Sequence, residues 1–239
     1  MEINYEVYSL SYRELAILLV SKGIDKIYGF PLEQITIDSD EKLIQTLHHM
    51  VKRKILTSDG EAFQINEPYE TIINVLKEAK DIVVITPKTE ELPMRCCYLG
   101  KKILVSEISI IQKDTMKLCF IERDKFIDFL EEGYLPEQLD KENEWVDPKE
   151  GVIFDLNIGE LMKDETNHLL KREDIKLVID KICTNSGKRT SRILIMERPL
   201  NYQIVNWDSY SNKEDVTNII YTFSNMKERL NMLLREEEA

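Results

Sequence analysis

Apolar residues recur at helical spacing in three segments among the first 80 residues of the chain. The first predicted helix covers about 12–22, the second covers about 40–54, and the third follows Pro68. Between the second and third helices, two short apolar runs flank Ser58-Asp59-Gly60, a triplet typical of a tight turn. The pattern therefore predicts three helices and a β-hairpin over residues 55–65.

The first helix has clear start and stop signals. Ser11 and Glu14 stand at the spacing of a capping box, in which each side chain accepts a hydrogen bond from the backbone N–H of the other residue. Gly23 follows the last residue of the pattern, and glycine is common just past a helix because it tolerates a left-handed backbone. These signals limit the helix to residues 12–22.

The middle of the chain is rich in β-branched residues and short turn signals, which favour strands. The predicted strands cover 82–85, 94–98, 103–111 and 116–121, and a helix from Asp124 to Gly133 follows them. Since consecutive strands are joined by short turns, we expect them to pair antiparallel.

The second half is predicted to have a similar order of elements. A strand over 152–156 opens it, two helices over 158–170 and 174–183 follow, and two strands over 192–196 and 202–207 come next. A second capping box, Ser211-Asn212-Lys213-Glu214, predicts the start of a final helix. The apolar stripe of that helix contains Val216, Ile219, Ile220, Phe223, Met226, Leu230, Leu233 and Leu234.

The likeness between the halves predicts the fold class. Each half starts with a strand-like segment, continues with helices and closes with strands and a helix. This order favours an α+β fold with a central, mostly antiparallel sheet and pseudo-twofold halves, each flanked by helices. The predicted boundaries are 1–133 for an N-terminal half with a helical and hairpin insertion, 134–150 for an acidic connector, and 151–239 for a C-terminal half.

The chain is acidic, since its 239 residues include 44 Asp and Glu against 32 Lys and Arg, for a formal net charge of −12. Much of this charge is local, because residues 131–150 contain eight acidic and two basic residues. An acidic surface repels phosphate backbones, so the overall charge argues against nucleic-acid binding.

The sequence also predicts the compartment. No apolar run is long enough to span a bilayer, and the N-terminus lacks the basic and apolar regions of a signal peptide. The cysteines, Cys96, Cys97, Cys119 and Cys183, do not have the spacing of a metal site or a disulfide framework. We therefore expect a cytoplasmic protein with reduced thiols and no membrane span.

No motif for enzymatic chemistry stands out. Ser186-Gly187-Lys188-Arg189-Thr190 resembles part of a phosphate-binding loop, but Ile182 replaces its first glycine and Arg189 replaces the hydroxyl residue after lysine. Of the histidines, His48 and His49 are adjacent and point about 100° apart on a helix, and His168 is distant in sequence. We predict no catalytic residue, no metal and no cofactor, and the alternative of an enzyme site formed by distant residues stays open.

The order of helix 12–22, helix 40–54 and hairpin 55–65 is also that of a winged-helix DNA-binding domain. In that alternative, the protein is a transcriptional regulator whose helix 40–54 enters a DNA groove, with Lys52-Arg53-Lys54 near phosphates. The charge argues against it, because residues 1–60 contain seven basic and nine acidic residues. Cations at a helix C-terminus are also stabilised by the helix dipole, which explains them without DNA.

A polar loop lies between the predicted strands 82–85 and 94–98. Two prolines bracket one apolar residue among charged ones, and surface loops carry binding function more often than buried segments do. The loop is a candidate partner-binding site, and a plain connection between strands is the alternative. Its residues are Pro87, Lys88, Thr89, Glu90, Glu91, Leu92 and Pro93.

The order of elements resembles that of the EspG-type proteins, the cytosolic chaperones of type VII (ESX) secretion. Leu10-Ser11-Tyr12-Arg13-Glu14-Leu15 is similar to the start of that family. Met50-Val51-Lys52-Arg53-Lys54-Ile55-Leu56, with the hairpin and helix after it, is similar to the family's small helical insertion. The run of segments 82–85, 95–105, 116–121 and 126–136 resembles the family's sheet strands and closing helix, and the likeness covers nearly the whole chain.

The resemblance implies a central antiparallel sheet flanked by two helical subdomains, and a non-enzymatic activity. That activity is to bind a helical secreted protein or protein pair and to keep its apolar tip soluble. The family contacts its substrate through a loop between two early strands, which corresponds in position to residues 87–93. Because this chain is rich in Lys and Ile and has only 8 glycines, its partner need not be one of the family's usual PE–PPE pairs.

Overall fold

The structure is a computed structural model, and it describes residues 5–25, 27–28, 39–108, 114–137, 165–199, 201–210 and 213–235. The chain forms two compact units. The first unit consists of Met1–Val83, Pro93–Phe126 and Cys183–Lys188. The second unit consists of Val84–Leu92, Ile127–Ile182 and Arg189–Ala239.

Strands and short helices make up the described elements. The strands are β1 (Val7–Ser11), β2 (Leu56–Ser58), β3 (Phe63–Ile65), β4 (Asp81–Pro87), β5 (Arg95–Leu99), β6 (Lys102–Ile108), β7 (Thr115–Glu122), β8 (Ile175–Cys183), β9 (Arg189–Glu197), β10 (Tyr202–Tyr210) and β11 (Lys213–Ile220). The helices are α1 (Tyr12–Ser21), α2 (Asp40–Lys52), α3 (Tyr69–Glu78), α4 (Phe126–Gly133), α5 (Thr166–Leu169) and α6 (Phe223–Leu233), and a short 3-10 helix, Arg123–Lys125, precedes α4. None of the helices in these described ranges is long and apolar enough to cross a membrane.

The α+β class predicted from the sequence is confirmed. In the first unit, strands pair antiparallel in the order β1-β7-β6-β5, with Tyr8 opposite Leu118 and Cys97 opposite Val105. In the second unit, strands pair antiparallel in the order β8-β9-β10-β11. Strands β2 and β3 form a separate two-stranded hairpin. Connections between consecutive strands produce the antiparallel pairing of β5 to β7 and of β8 to β11, as expected, whereas β1 pairs with the distant β7.

Helix α1 begins and ends where its sequence signals predict. The Ser11 hydroxyl accepts a hydrogen bond from the Glu14 backbone N–H at 3.2 Å, and the Glu14 carboxylate accepts one from the Ser11 backbone N–H at 2.7 Å. At the other end, the N–H groups of Gly23 and Ile24 donate to the carbonyls of Val20 and Leu19, both at 2.9 Å. Gly23 has a φ of 67°, the left-handed conformation that this double hydrogen bond requires.

Helix α2 and the hairpin also agree with the prediction. The Ser39 hydroxyl caps α2 by accepting a hydrogen bond from the Lys42 backbone N–H at 3.3 Å. In the hairpin turn, one carboxylate oxygen of Asp59 accepts hydrogen bonds from the backbone N–H groups of Ala62 at 2.9 Å and Glu61 at 3.0 Å. These hydrogen bonds stabilise the carboxylate, so they hold the pKa of Asp59 below its usual range.

The helix predicted over 174–183 is wrong, because this segment is strand β8, Ile175–Cys183. The run of residues from 177 to 182 is buried throughout, with Asp180 and Lys181 included, so it lacks the alternation of apolar and polar positions that marks a half-buried strand. Such a run is compatible with a helix as well as with a strand, because neither its length nor its periodicity distinguishes the two structures. Pairing of β8 with β9, a contact between distant residues, decides in favour of the strand.

The start of the final helix is also predicted wrongly. Val216, Ile219 and Ile220 lie on strand β11, which pairs with β10 along its whole length, and α6 begins only at Phe223. β-Branched side chains favour strands, and here that preference agrees with the pairing. The helix is capped by Thr222, whose hydroxyl accepts a hydrogen bond from the Asn225 backbone N–H at 3.1 Å.

Other predictions fall outside the described residues. They are the strand over 152–156, the first part of the helix over 158–170, the capping residues Ser211 and Asn212, and positions 138–150 of the acidic connector. Near the end of the predicted helix 158–170, the chain forms the short helix α5.

The second unit contains a buried ion cluster around Asp180 on β8. Arg192 on β9 donates to both carboxylate oxygens of Asp180, from Nε at 2.6 Å and from Nη2 at 2.9 Å. The Thr166 hydroxyl donates to the same carboxylate at 2.9 Å, and Arg189 Nε lies 3.0 Å from it. The Arg192 side chain is completely buried and that of Asp180 is 4% exposed, so the charges are matched inside the fold rather than by water.

Candidate functional site

The predicted partner-binding loop joins β4 to β5. Pro87 is the last residue of β4, and two hydrogen bonds hold the next residue, Lys88. Its backbone N–H donates to the Lys176 carbonyl at 2.9 Å, and its ammonium group donates to the Arg172 carbonyl at 2.7 Å. The base of the loop is therefore fixed, and Lys88 is half-buried rather than displayed.

The tip of the loop carries two acidic residues, which an apolar residue follows along the chain. Glu90 and Glu91 are exposed, and the Thr89 hydroxyl accepts a hydrogen bond from the Glu91 backbone N–H at 3.2 Å. Leu92 is half-buried. Two exposed carboxylates followed by one half-buried apolar side chain thus stand on a fixed base. The binding role of residues 87–93 stays a prediction.

Arg53, the central cation of the winged-helix alternative, is engaged inside the first unit. Its Nη1 donates to both oxygens of the Glu14 carboxylate at 2.8 and 2.7 Å, and its Nη2 donates to the Ser9 carbonyl. Glu14 is only 1% exposed, and His49 Nδ1 lies 3.2 Å from it. Arg53 therefore ties α2 to α1 and β1, and a phosphate backbone would have to compete with these contacts for it.

A cleft of about 720 Å³ lies within the first unit, beside α3, where β5 turns into β6. No sequence pattern predicts this cleft, because its lining comes from four separate segments of the chain. Gly100 belongs to the turn, and a Cβ atom there would lie 3.2 Å from the Lys102 carbonyl oxygen, tighter than ordinary contact. Five half-buried apolar residues line the cleft, namely Tyr8, Pro68, Val75, Leu99 and Phe120.

Tyr8 is held in place from two sides. Its ring meets the Tyr69 ring edge to face, with 5.9 Å between centroids. Burial, and then a hydrogen bond to the Glu6 carboxylate, raise the pKa of Tyr8 to about 12. The hydroxyl therefore remains protonated at neutral pH, and it donates its hydrogen bond to Glu6.

The four thiols are free and differ in environment. Burial raises the pKa of Cys96 and of Cys119 to about 11, and it raises the pKa of Cys97 well above its usual range. Cys183 is half-buried at the end of β8. There the Ser186 hydroxyl, followed by the Ser186 backbone N–H, stabilises the thiolate and lowers the pKa of Cys183.

We expect Cys183 to react first when the native protein is treated with iodoacetamide near neutral pH. A lower pKa leaves more thiolate at a given pH, and Cys183 is also more accessible than Cys96 or Cys97. Mass spectrometry of a time course would show the order of labelling. Ser186→Ala should slow labelling of Cys183 alone, and rapid labelling of Cys97 in the folded protein would contradict the assignment.

No set of three His, Cys, Asp or Glu side chains in the described part of the chain is arranged to hold a metal ion. Comparison with known protein families gives no match, and neither does comparison with curated proteins.

Proposed function

We propose that this protein is a non-enzymatic cytoplasmic adaptor, of the kind represented by type VII secretion chaperones, that binds a helical protein substrate. The observation that carries the proposal is the loop over 87–93, which has a fixed base and an exposed acidic and apolar tip. Because the base is held by hydrogen bonds within the protein, less loop entropy is lost when a partner binds.

The chemistry of the tip suits an amphipathic helix. Such a helix exposes an apolar ridge with polar residues on either side. Leu92 offers apolar contact to the ridge. The carboxylates of Glu90 and Glu91 favour a helix that carries Lys or Arg beside its ridge, and they disfavour acidic partners.

Co-expression provides the test. The full chain is co-expressed with each small helical protein encoded beside its gene, and complexes are isolated through a tag on the full chain. A stable complex with one of these proteins is the expected result. Failure of every neighbour to co-purify would contradict the proposal.

A loop variant locates the contact. The triple substitution Glu90→Lys, Glu91→Lys, Leu92→Ser should weaken the complex by about tenfold or more, since it removes an apolar contact and reverses two charges. Glu61→Lys, at an exposed position in the β2–β3 turn, is the matched control. If the control weakens the complex as much as the loop variant does, the loop is not the contact.

A further inference from the structure

The cleft beside α3 has an apolar centre and charged ends. Along α3 it is lined by Thr71, Asn74, Val75 and Glu78, which share one face of the helix at spacings of three and four residues. The opposite wall is formed by residues at one end of the sheet. An apolar centre surrounded by polar groups is the usual make-up of a protein-binding surface.

Charged residues stand at both ends of the cleft, Glu6 at one end and Lys101 and Lys102 at the other. Glu6 precedes β1, and continuing the pairing of Val7 with Cys119 places it beside Phe120 on β7. Lys102, at the start of β6, pairs with Glu122 on the other side of β7. Glu6 and Lys102 are separated by two strand spacings across the sheet and by two residues along the strands. These displacements combine to a distance of roughly 12 Å.

The charged groups at the lysine end are not all neutralised. Lys102 forms an ion pair with Glu122, but both side chains are 56% exposed, so the pair is weak. Lys101 and Glu78 line the same cleft, and neither forms an ion pair within the described residues. Lys101 is therefore available to an acidic group on a ligand.

The edge of β1 is less suited to a peptide than the cleft is. An added strand needs the outward carbonyl and N–H groups of the edge strand. The Ser9 carbonyl, in the middle of β1, already accepts a hydrogen bond from Arg53. A peptide is therefore expected in the cleft rather than as an extra strand.

We propose that this cleft binds an extended segment of a partner protein in which a large apolar side chain stands between a basic and an acidic residue. The apolar side chain inserts among Tyr8, Val75 and Phe120. The basic residue pairs with Glu6 and the acidic residue with Lys101 or Lys102. Four steps of extended chain at about 3.3 Å each cover the distance, so each charged residue lies two positions from the apolar one.

This inference goes beyond the proposed function, because the cleft lies entirely in the first unit and contains no residue of the loop over 87–93. The two claims therefore fail separately. The triple variant of the loop should bind the peptide probe described next as well as the wild-type chain does.

The probe is a fluorescein-labelled, end-capped peptide with the core Lys-Ser-Trp-Ser-Asp, titrated with the full chain by fluorescence anisotropy. Two matched peptides carry Lys or Asp at both ends, and a third carries Ser in place of Trp. Each surface ion pair is worth up to about fivefold in affinity, so the mixed-charge peptide should bind up to about fivefold more tightly than either same-charge peptide. Replacement of Trp should cost about tenfold or more.

Glu6→Lys gives a test that does not depend on loss of binding. The variant should bind the peptide with Asp at both ends more tightly than the wild-type chain does, by up to about fivefold. Glu61→Lys makes the same change elsewhere in the unit and should leave the order of the peptides unchanged. Equal binding of all charge patterns, an equal effect of Glu61→Lys, or no binding up to about 1 mM peptide would overturn the proposal.

Discussion

Asp180→Asn is expected to lower the free energy of unfolding of the second unit by about 3–5 kcal/mol, since it removes the charged carboxylate that accepts two hydrogen bonds from the fully buried Arg192. The hydrogen bonds between the two side chains are 2.6 and 2.9 Å long, so the carboxylate and the guanidinium are in direct contact. Trp207 lies in the core of the second unit, so its fluorescence during urea unfolding reports this transition. A Trp145→Phe background leaves Trp207 as the only tryptophan in the chain.

Two further variants serve as controls for Asp180→Asn. Glu132→Gln, an exposed acidic residue on α4, should change the midpoint little. Combining Asp180→Asn with Arg192→Met should cost less than the sum of the two single changes, because the double variant removes both members of the buried charge pair. Strict additivity would mean that the two side chains act independently, against the geometry.

Glu14→Ala is expected to destabilise the first unit by about 3 kcal/mol, because three interactions are lost together. The carboxylate accepts from Arg53 and from the Ser11 backbone N–H, and it lies 3.2 Å from the His49 ring. All four cysteines belong to the first unit, so the rate at which Cys97 becomes accessible to a thiol reagent measures its opening. Labelling should be faster in the variant at the same urea concentration.

The ion pair between Lys22 and Glu70 is an exposed counterpart to the buried interactions of Glu14. It has a comparable distance, 2.7 Å, but its side chains are 35% and 40% exposed. Glu70→Ala should therefore cost less than about 1 kcal/mol. If both substitutions have the same effect on labelling of Cys97, burial is not what makes the Glu14 interaction strong.

Elements with local signals were predictable from sequence alone. Helix α1 is defined by Ser11, Glu14 and Gly23, all within one helix length of each other, and the hairpin is defined by Asp59 and Gly60. In these places the hydrogen bonds that end or turn the chain connect residues a few positions apart. The signal and the structure therefore occupy the same short segment.

Strands β8 and β11 were not predictable in the same way. Both carry apolar residues at spacings that a helix also satisfies, and only the pairing of β8 with β9 and of β11 with β10 selects the strand. The Asp180–Arg192 contact depends on that pairing, since the two residues lie opposite each other in the register. With β8 taken as a helix, their contact has no reason to occur.

The loop over 87–93 and the cleft beside α3 also differ in whether the sequence predicts them. The loop over 87–93 is one continuous segment between two prolines, so its position could be read from the sequence. The cleft combines Glu6, Val75, Gly100 and Phe120 from four segments, and no spacing in the sequence links them. The cleft forms only through the register of β1 on β7 and the placement of α3.

The composition of the first unit has a consequence for how the chain is made. Residues Cys183–Lys188 belong to this unit, and the Thr184 backbone N–H donates to the Lys80 carbonyl at 2.8 Å. A ribosome must therefore synthesise most of the chain before the first unit has all its parts. A gene fragment that ends near residue 133 would lack this segment, so separate expression of an N-terminal half is a poor way to study either unit.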